Sequence, residues 1–286
     1  RIAFTFMSIL PFASDMLHRS AAVAPSTTLP LLEAVACIAQ DEYPESLVQD
    51  VLDNVDQLLH RLRRTLPMDA GDLQKVRQLN HFFFQVLGFG GNINHYFDPD
   101  NSFLPVVLRT RRGIPITLAV LWLELAQGIG LQAAGVNFPG HFMVKVNLPQ
   151  GQAVIDPFTG QSLSREELAE RLQPLHQRDA RPDDMEPPLG LYLQPAAPRD
   201  IMGRMLRNLK HIYRLQEDWA RLIAVLNRLL VLYPRSWPEY RDRGLALAEQ
   251  GQAQRAQADL EIYLARAEDA QDHAAVADRL ADLRRA

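Results

Sequence analysis

The segment from Arg111 to Gly160 decides the fold, and it reads RRGIPITLAVLWLELAQGIGLQAAGVNFPGHFMVKVNLPQGQAVIDPFTG. An Arg-Arg-Gly turn precedes Pro115, which suits the first position of a helix because its missing N–H would have no partner there. Residues 116–125 are apolar almost all round, and this pattern predicts a helix that is buried on every side. Alternating apolar residues then predict three short strands, at 132–137, 141–147 and 153–156.

Two polar residues mark the ends of these strands. His141 begins the second strand and Asp156 ends the third. A carboxylate bonded to a histidine fixes the tautomer and the orientation of the imidazole, as catalytic sites require. However, the sequence separation of this histidine and this aspartate does not by itself indicate that they form a site.

The sequence resembles the transglutaminase-like superfamily, which has a cysteine-protease-like fold. It more closely resembles the bacterial SirB-type proteins, which join such a domain to tetratricopeptide repeats. The resemblance rests on five strings in the same order: LGFGGN, YFDPDNSFLPVVL, RRGIPITL, GVNFPGHFMVKV and VIDPFTG. It implies an α+β domain with a small antiparallel sheet, followed by all-α tetratricopeptide-like helices. In active members a Cys begins the buried helix, and a His and an Asp follow on strands; His141 and Asp156 occupy those last two positions.

The chain departs from active members at the nucleophile. Members with a nucleophile have Arg-Gly-Asn-Cys at the start of the buried helix, where this chain has Arg-Gly-Ile followed by Pro115. Proline has no nucleophilic atom, so thiol chemistry cannot start from this position. The only cysteine, Cys37, lies far upstream in an apolar helical pattern, where a packing role is expected. The resemblance therefore implies the fold and a vestigial His141–Asp156 dyad, without the activity.

Other residues are candidates for the walls of a cleft. Thr117 is the hydroxyl nearest to Pro115, but it points about 200° away from it on a helix, so we expect it to miss His141. Ser102, in the preceding loop, remains an alternative nucleophile, and Asn101 or Ser102 is predicted to cap a helix at 103–108. The candidates for cleft or binding residues are Pro115, Thr117, Asn80, His81, Gln85, Tyr96, Asn101 and Ser102. For His81 and Gln85, one helical turn apart, surface contacts are an equal alternative.

Residues 88–102 are rich in Gly, Asn and Asp, which predicts a long loop. Side chains of this kind can bind Ca²⁺, but the loop lacks the alternating acids and the terminal bidentate Glu of a calcium loop. Asn and Asp side chains that hold turns explain the composition equally. We therefore expect no metal and no cofactor.

The sequence divides into four parts. Many prolines follow a capping box at 164–167, and they predict an interdomain linker; within it, 189–193 is apolar enough to dock on a domain. The predicted boundaries are 1–28 for a flexible N-terminal extension, 29–173 for the transglutaminase-like domain, 174–198 for the linker and 199–286 for the tetratricopeptide-like domain.

The last part is helical and repeated. Gly244, Gly251 and Ala256 fall at the small-residue positions of a 34-residue tetratricopeptide repeat. Small residues are needed there because the two helices of a repeat approach closely. Five helices are predicted, at 199–214, 217–232, 238–250, 253–267 and 271–284.

Composition limits the classes of partner. A net charge of −4 gives no basic surface for nucleic acid, and no apolar run is long enough to span a membrane. One cysteine excludes an intrachain disulfide framework and fits a reducing compartment, so we expect a cytoplasmic location.

Three hypotheses of function follow. The first is a non-catalytic, regulatory module that binds a protein or peptide partner, because the nucleophile is replaced while repeats of this kind present binding surfaces. The second is an amide-bond hydrolase or acyltransferase in which His141 and Asp156 act with water, Ser102 or Thr117. The third is a small-molecule or metal-binding domain that uses the loop 92–101.

Overall fold

The computed structural model describes residues 30–179 and 188–285. These residues form two compact units, of which the first is Pro30–Ile201 and the second starts at Met202. The predicted N-terminal extension, 1–28, lies outside the described residues. The α+β class is confirmed, because the first unit combines helices with a four-stranded antiparallel sheet and the second, where described, is helical.

The first unit begins with four helices. They are α1 (Leu31–Ala36), α2 (Val48–Arg63), α3 (Asp72–Asn80) and α4 (Leu104–Thr110). A 3₁₀ turn extends α1, and a π-helical turn, His81–Val86, extends α3. The wider π turn lets consecutive phenylalanines share the core, since Phe82 and Phe83 are both buried.

The buried helix, α5, is Pro115–Gly128 and starts at the proline, as predicted. All of its residues from Pro115 to Leu123 are buried, so the apolar run meets protein on every side. Two short parallel strands precede it, β1 (Gly90–Gly91) and β2 (Arg112–Gly113).

The sheet follows α5 directly. Its strands are β3 (Ala133–Val136), β4 (Met143–Leu148), β5 (Gly151–Ile155) and β6 (Ser162–Leu163), hydrogen-bonded in that order and antiparallel. Because Val144 pairs with Ile155, the start of β4 and the end of β5 lie at the same edge of the sheet. The predicted strands are confirmed with ends shifted by one to two residues.

The predicted linker is partly structured. Helix α6 (Arg165–Asp179) opens with the predicted capping box and passes through Pro174, so a proline that removes one backbone hydrogen bond does not end it. After the undescribed stretch, α7 (Leu189–Tyr192) and Leu193 pack on the sheet side of the first unit. The predicted docking of 189–193 is confirmed.

The chain stays with the first unit beyond the predicted linker end. Pro195 pairs with Val136, and the Ala196 N–H donates to the Gly135 carbonyl. Ile201 lies so close to Gly135 that a β-carbon on that glycine would be 3.2 Å from its methyl group. The unit boundary therefore falls inside a helix rather than before it.

The remaining helices are α8 (Pro198–Leu215), α9 (Trp219–Leu232), α10 (Trp237–Glu249), α11 (Ala253–Leu264) and α12 (His273–Arg285). A β-carbon on Gly244 would lie 2.7 Å from Leu260 and 3.2 Å from the Ala256 carbonyl oxygen. The close approach of α10 and α11 thus confirms the reason given for the small residues. Within the described ranges, none of the helices has both the length and the apolar character needed to cross a membrane.

Candidate functional site

His141 and Asp156 meet at one edge of the sheet. A tight turn, with Gly140 at φ +71°, leads into His141, whose N–H donates to the Phe138 carbonyl at 3.1 Å. Asp156 follows directly after β5. His141 Nε2 lies 2.8 Å from Asp156 Oδ1, so the predicted pairing is confirmed as geometry, while its role stays a prediction.

Several groups fix the Asp156 carboxylate. Its Oδ1 also accepts the Phe158 N–H at 2.9 Å, and Oδ2 lies 3.6 Å from Arg171 Nη1 on α6. Burial alone would raise the pKa of Asp156, but the hydrogen bond and charge of His141 oppose it, with smaller contributions from Phe158 and Arg171. The net effect places the pKa of Asp156 below its usual value, so the buried group is a carboxylate at neutral pH.

The second part of the candidate site is the start of α5, here called the helix wall, and the end of the sheet that carries His141 and Asp156 is called the strand wall. Ile114 precedes the helix in an extended conformation, no side chain caps it, and Pro115 is its first residue. Pro115 is buried and offers neither a proton nor a lone pair. The Pro115 side chain therefore fills space without a reactive group.

One backbone segment connects the two walls. The Gly91 N–H donates to the Phe158 carbonyl at 2.9 Å, and the Asn92 N–H donates to the Gly113 carbonyl at 3.1 Å. A β-carbon on Gly91 would lie 2.3 Å from the Phe158 ring, so glycine is needed for this approach. The turn after Asp156 and the turn before Pro115 are thus held to the same two residues.

The two hydroxyls considered as substitute nucleophiles are both inaccessible. Ser102 and Thr117 have 0% exposed surface, and neither hydroxyl oxygen has a hydrogen-bond partner among the described residues. His141 therefore does not activate either of them in this conformation. Cys37 is also buried, at the end of α1.

An aromatic edge lies beside the histidine. The Phe158 ring centroid is 6.4 Å from that of His141 and 5.9 Å from that of Tyr96. Tyr96 is 42% exposed and its neighbour Phe97 59% exposed. Tyr96, a predicted cleft residue, is therefore separated from His141 only by the Phe158 ring. Phe158 was not predicted from the sequence, because a single phenylalanine in a turn belongs to no recognisable pattern.

The predicted candidates on α3 have different environments. Asn80 accepts a hydrogen bond from the Trp122 indole N–H at 2.9 Å, so it ties α3 to α5. His81 and Gln85 are exposed on the π-helical turn. The same turn presents Phe84 to the Asp156 turn, where a β-carbon on Gly160 would lie 2.8 Å from its ring. His81 and Gln85 therefore flank the site without bonding to the dyad.

The polar loop before α4 holds itself together. Asn92 donates to the Asn101 side chain at 2.9 Å, and Asn101 donates to the His95 carbonyl at 2.6 Å. Asp98 caps the Asp100 N–H at 3.0 Å. The prediction that Asn101 or Ser102 caps α4 was wrong: Phe103 precedes α4 without a side-chain cap, because Asn101 is used within the loop. No cluster of three or more metal-binding side chains occurs among the described residues.

Comparison with known proteins agrees with this architecture. A model of the transglutaminase-like superfamily matches residues 49–207, and a tetratricopeptide repeat model matches residues 209–281. A UPF0162 protein of Xylella fastidiosa strain 9a5c is 39% identical over 250 residues, which cover 87% of this chain and 88% of the relative. The chain belongs to the UPF0162 family. This confirms the resemblance to transglutaminase-like proteins of the SirB type that carry repeats.

More distant UPF0162 proteins match over similar lengths. The Pseudomonas aeruginosa protein is 26% identical over 253 residues, covering 88% of this chain and 90% of its own. The Vibrio cholerae protein is 25% identical over 225 residues. No solved structure matches the chain.

Proposed function

We propose that this UPF0162 protein is a non-catalytic regulatory module that binds a protein or peptide. The observation that carries the proposal is that Pro115 is the buried first residue of α5, where the family resemblance implies the catalytic cysteine of active members. Without a nucleophile there, the site has no side-chain atom at the helix start to accept an acyl group.

The buried hydroxyls support the same conclusion. Ser102 and Thr117 would have to turn toward His141 and become exposed before either could attack a substrate. Such a change would disturb the close packing of α5, whose residues from Pro115 to Leu123 are all buried. A binding role requires no such rearrangement.

The second unit offers the surface for a partner, since repeats of this class commonly bind protein segments. Glu239 and Asp242 on α10 are buried, and each has an oxygen 2.5 Å from Lys210 Nζ on α8. Arg207 and Arg214 lie farther out, at 3.6 Å and 3.9 Å from these two carboxylates, and their side chains are about half exposed. A row of cations along α8 thus remains open to an acidic segment of a partner.

The test is capture of partners on the full-length chain, followed by titration of each purified partner in a calorimeter. We expect Arg214→Glu to weaken partner binding by about tenfold, because the loss of one charge contact costs roughly that much affinity. The matched control, Arg255→Glu, reverses an exposed charge on α11 and should change binding less than twofold.

The mass of each captured partner after incubation distinguishes a binding module from an enzyme. An amide hydrolase or acyltransferase that uses His141, Asp156 and a bound water would cleave or modify the partner during incubation. The retained 2.8 Å contact between the dyad side chains is the observation that favours this alternative. Recovery of every partner at its starting mass supports a binding module, and cleaved or acylated partners contradict it.

A further inference from the structure

A platform of phenylalanine rings lies where the π-helical turn joins the loop before β1. Phe83 and Phe89 stack with centroids 4.5 Å apart and planes 16° from parallel. Phe82, the neighbour of Phe83, is buried with them. The π turn carries Phe82 and Phe83, and turns of this kind are frequent at functional positions.

Two arginines lie over this platform from different helices. Arg61, near the end of α2, has its Cζ 5.7 Å from the Phe82 ring centroid. Arg111, directly after α4, has its Cζ 4.6 Å from the Phe89 ring centroid. A guanidinium over a ring is attracted to the negative ring face, and its N–H groups lie in the guanidinium plane, where acceptors bind.

Neither guanidinium forms an ion pair with a carboxylate in the described chain. Nη1 of Arg111 is buried without any hydrogen-bond acceptor among these residues. Burial, and then the charge of Arg61, lower the pKa of Arg111, so the two cations are close enough to repel each other. Asp56 lines the same surface of α2 as Arg61 but forms no ion pair with it. Burial, and then the charge of Asp56, raise the pKa of Glu124.

The backbone at Arg111 adds a second indication. Its φ is +61°, in the left-handed region at the end of α4, where glycine is the usual residue. A non-glycine residue costs about 1–2 kcal/mol in this conformation. A strained arginine without a carboxylate partner is expected where its side chain has a ligand.

We propose that Arg61 and Arg111 bind a phosphate monoester. Two unpaired guanidinium groups match a phosphate monoester, which carries about −1.5 to −2 charge and three acceptor oxygens at pH 7. A carboxylate carries one negative charge and would leave one arginine uncompensated. Arg61 also lines an open surface groove of about 690 Å³ along α2, whose other lining residues are Asp56, Gln57, Leu59, His60 and Arg63, so a ligand can reach Arg61 from solvent. Neither arginine is bonded to His141 or Asp156, and the proposed site does not depend on the role of the repeats.

The test is calorimetric titration of the full-length chain with phenyl phosphate, with benzoate as a probe of similar shape that carries one charge. We expect phenyl phosphate to bind at least about tenfold more tightly than benzoate. Arg61→Gln should weaken phenyl phosphate binding by about tenfold or more, whereas Arg64→Gln, an exposed cation at the same helix end, should change it less than twofold. Arg111→Lys keeps the charge but loses the fork of N–H donors, and we expect a loss of several-fold.

Three results would overturn the proposal. The first is a Kd for phenyl phosphate above about 10 mM, and the second is a Kd for benzoate equal to that for phenyl phosphate. The third is an equal loss of phenyl phosphate affinity in Arg61→Gln and Arg64→Gln. A thermal melt of each variant shows that it is folded, so that loss of binding is not mistaken for loss of structure. The titrations contain no protein partner, so the outcome is distinct from that of partner capture.

Discussion

The strand wall and the helix wall of the candidate site differ in the chemical groups that they carry. The strand wall carries a complete His141–Asp156 pair, with the carboxylate buried and bonded on several sides. The helix wall carries Pro115, which has no reactive group. The difference shows which parts of a catalytic arrangement also serve the fold. Asp156 holds the turn that follows it through the Phe158 N–H, whereas a nucleophile at the helix start would hold nothing.

The largest expected effect tests the segment that joins the walls. Gly91→Ala places a β-carbon 2.3 Å from the Phe158 ring, which has to move. We expect it to lower the free energy of unfolding by about 2 kcal/mol, within the range for overpacking. Urea unfolding measures this loss. In the control, Gly190→Ala, a β-carbon meets nothing within 4 Å, so the effect should lie within about 0.5 kcal/mol. Equal effects of the two substitutions would show that the walls are not joined through Gly91.

The next effect tests the strand wall. Asp156→Asn removes a buried charge-assisted hydrogen bond, and we expect a loss of about 1.5 kcal/mol at pH 7. The pKa of Asp156 is lowered in the folded state, so its stabilisation is present above the unfolded pKa of about 4 and is lost as pH falls through the folded value. Unfolding free energies of both proteins should therefore converge below about pH 4. A difference that stays constant down to pH 3 would show that the charge contributes nothing.

A smaller effect is expected at the histidine. The His141 side chain is 22% exposed, so water can replace part of the hydrogen bonding that is lost when the histidine is substituted. His141→Gln should cost about 0.5–1 kcal/mol. A double-mutant cycle with Asp156→Asn measures how much of this loss belongs to the pair. A coupling energy of zero between the two positions would show that the contact does not stabilise the fold.

The smallest effect is expected on the helix wall. Pro115→Cys increases the conformational entropy of the unfolded chain, so it should lower the free energy of unfolding by about 0.4–1 kcal/mol. A thiol at a helix N-terminus has a lowered pKa, so iodoacetamide should modify it faster than Cys37. Mass spectrometry of timed samples gives both rates. Modification no faster than that of Cys37 would show that this wall does not face a reachable cleft.

The sequence predicted the elements whose pattern is local. Pro115 marked the start of α5, the small residue Gly244 marked the close pair of repeat helices, and the strings around His141 and Asp156 indicated a pair at one sheet edge. Each of these features depends on residues near it in the chain or on a resemblance covering several strings. The observed geometry agrees with each of them.

The features that the sequence did not predict depend on distant contacts. The π turn accommodates consecutive phenylalanines in a core whose other walls lie elsewhere in the chain. Arg171 reaches Asp156 from α6, and nothing in either local pattern connects them. Asn101 satisfies loop carbonyls instead of capping α4, because its partners are fixed only when the loop has folded.

The most direct test of a cleft without catalysis is the intact mass of the wild-type chain after exposure to a fluorophosphonate probe, which labels activated hydroxyls. The account predicts no adduct, because Ser102 and Thr117 are buried and neither is bonded to His141. A stoichiometric adduct mapped to either hydroxyl, and abolished by His141→Ala, would contradict it.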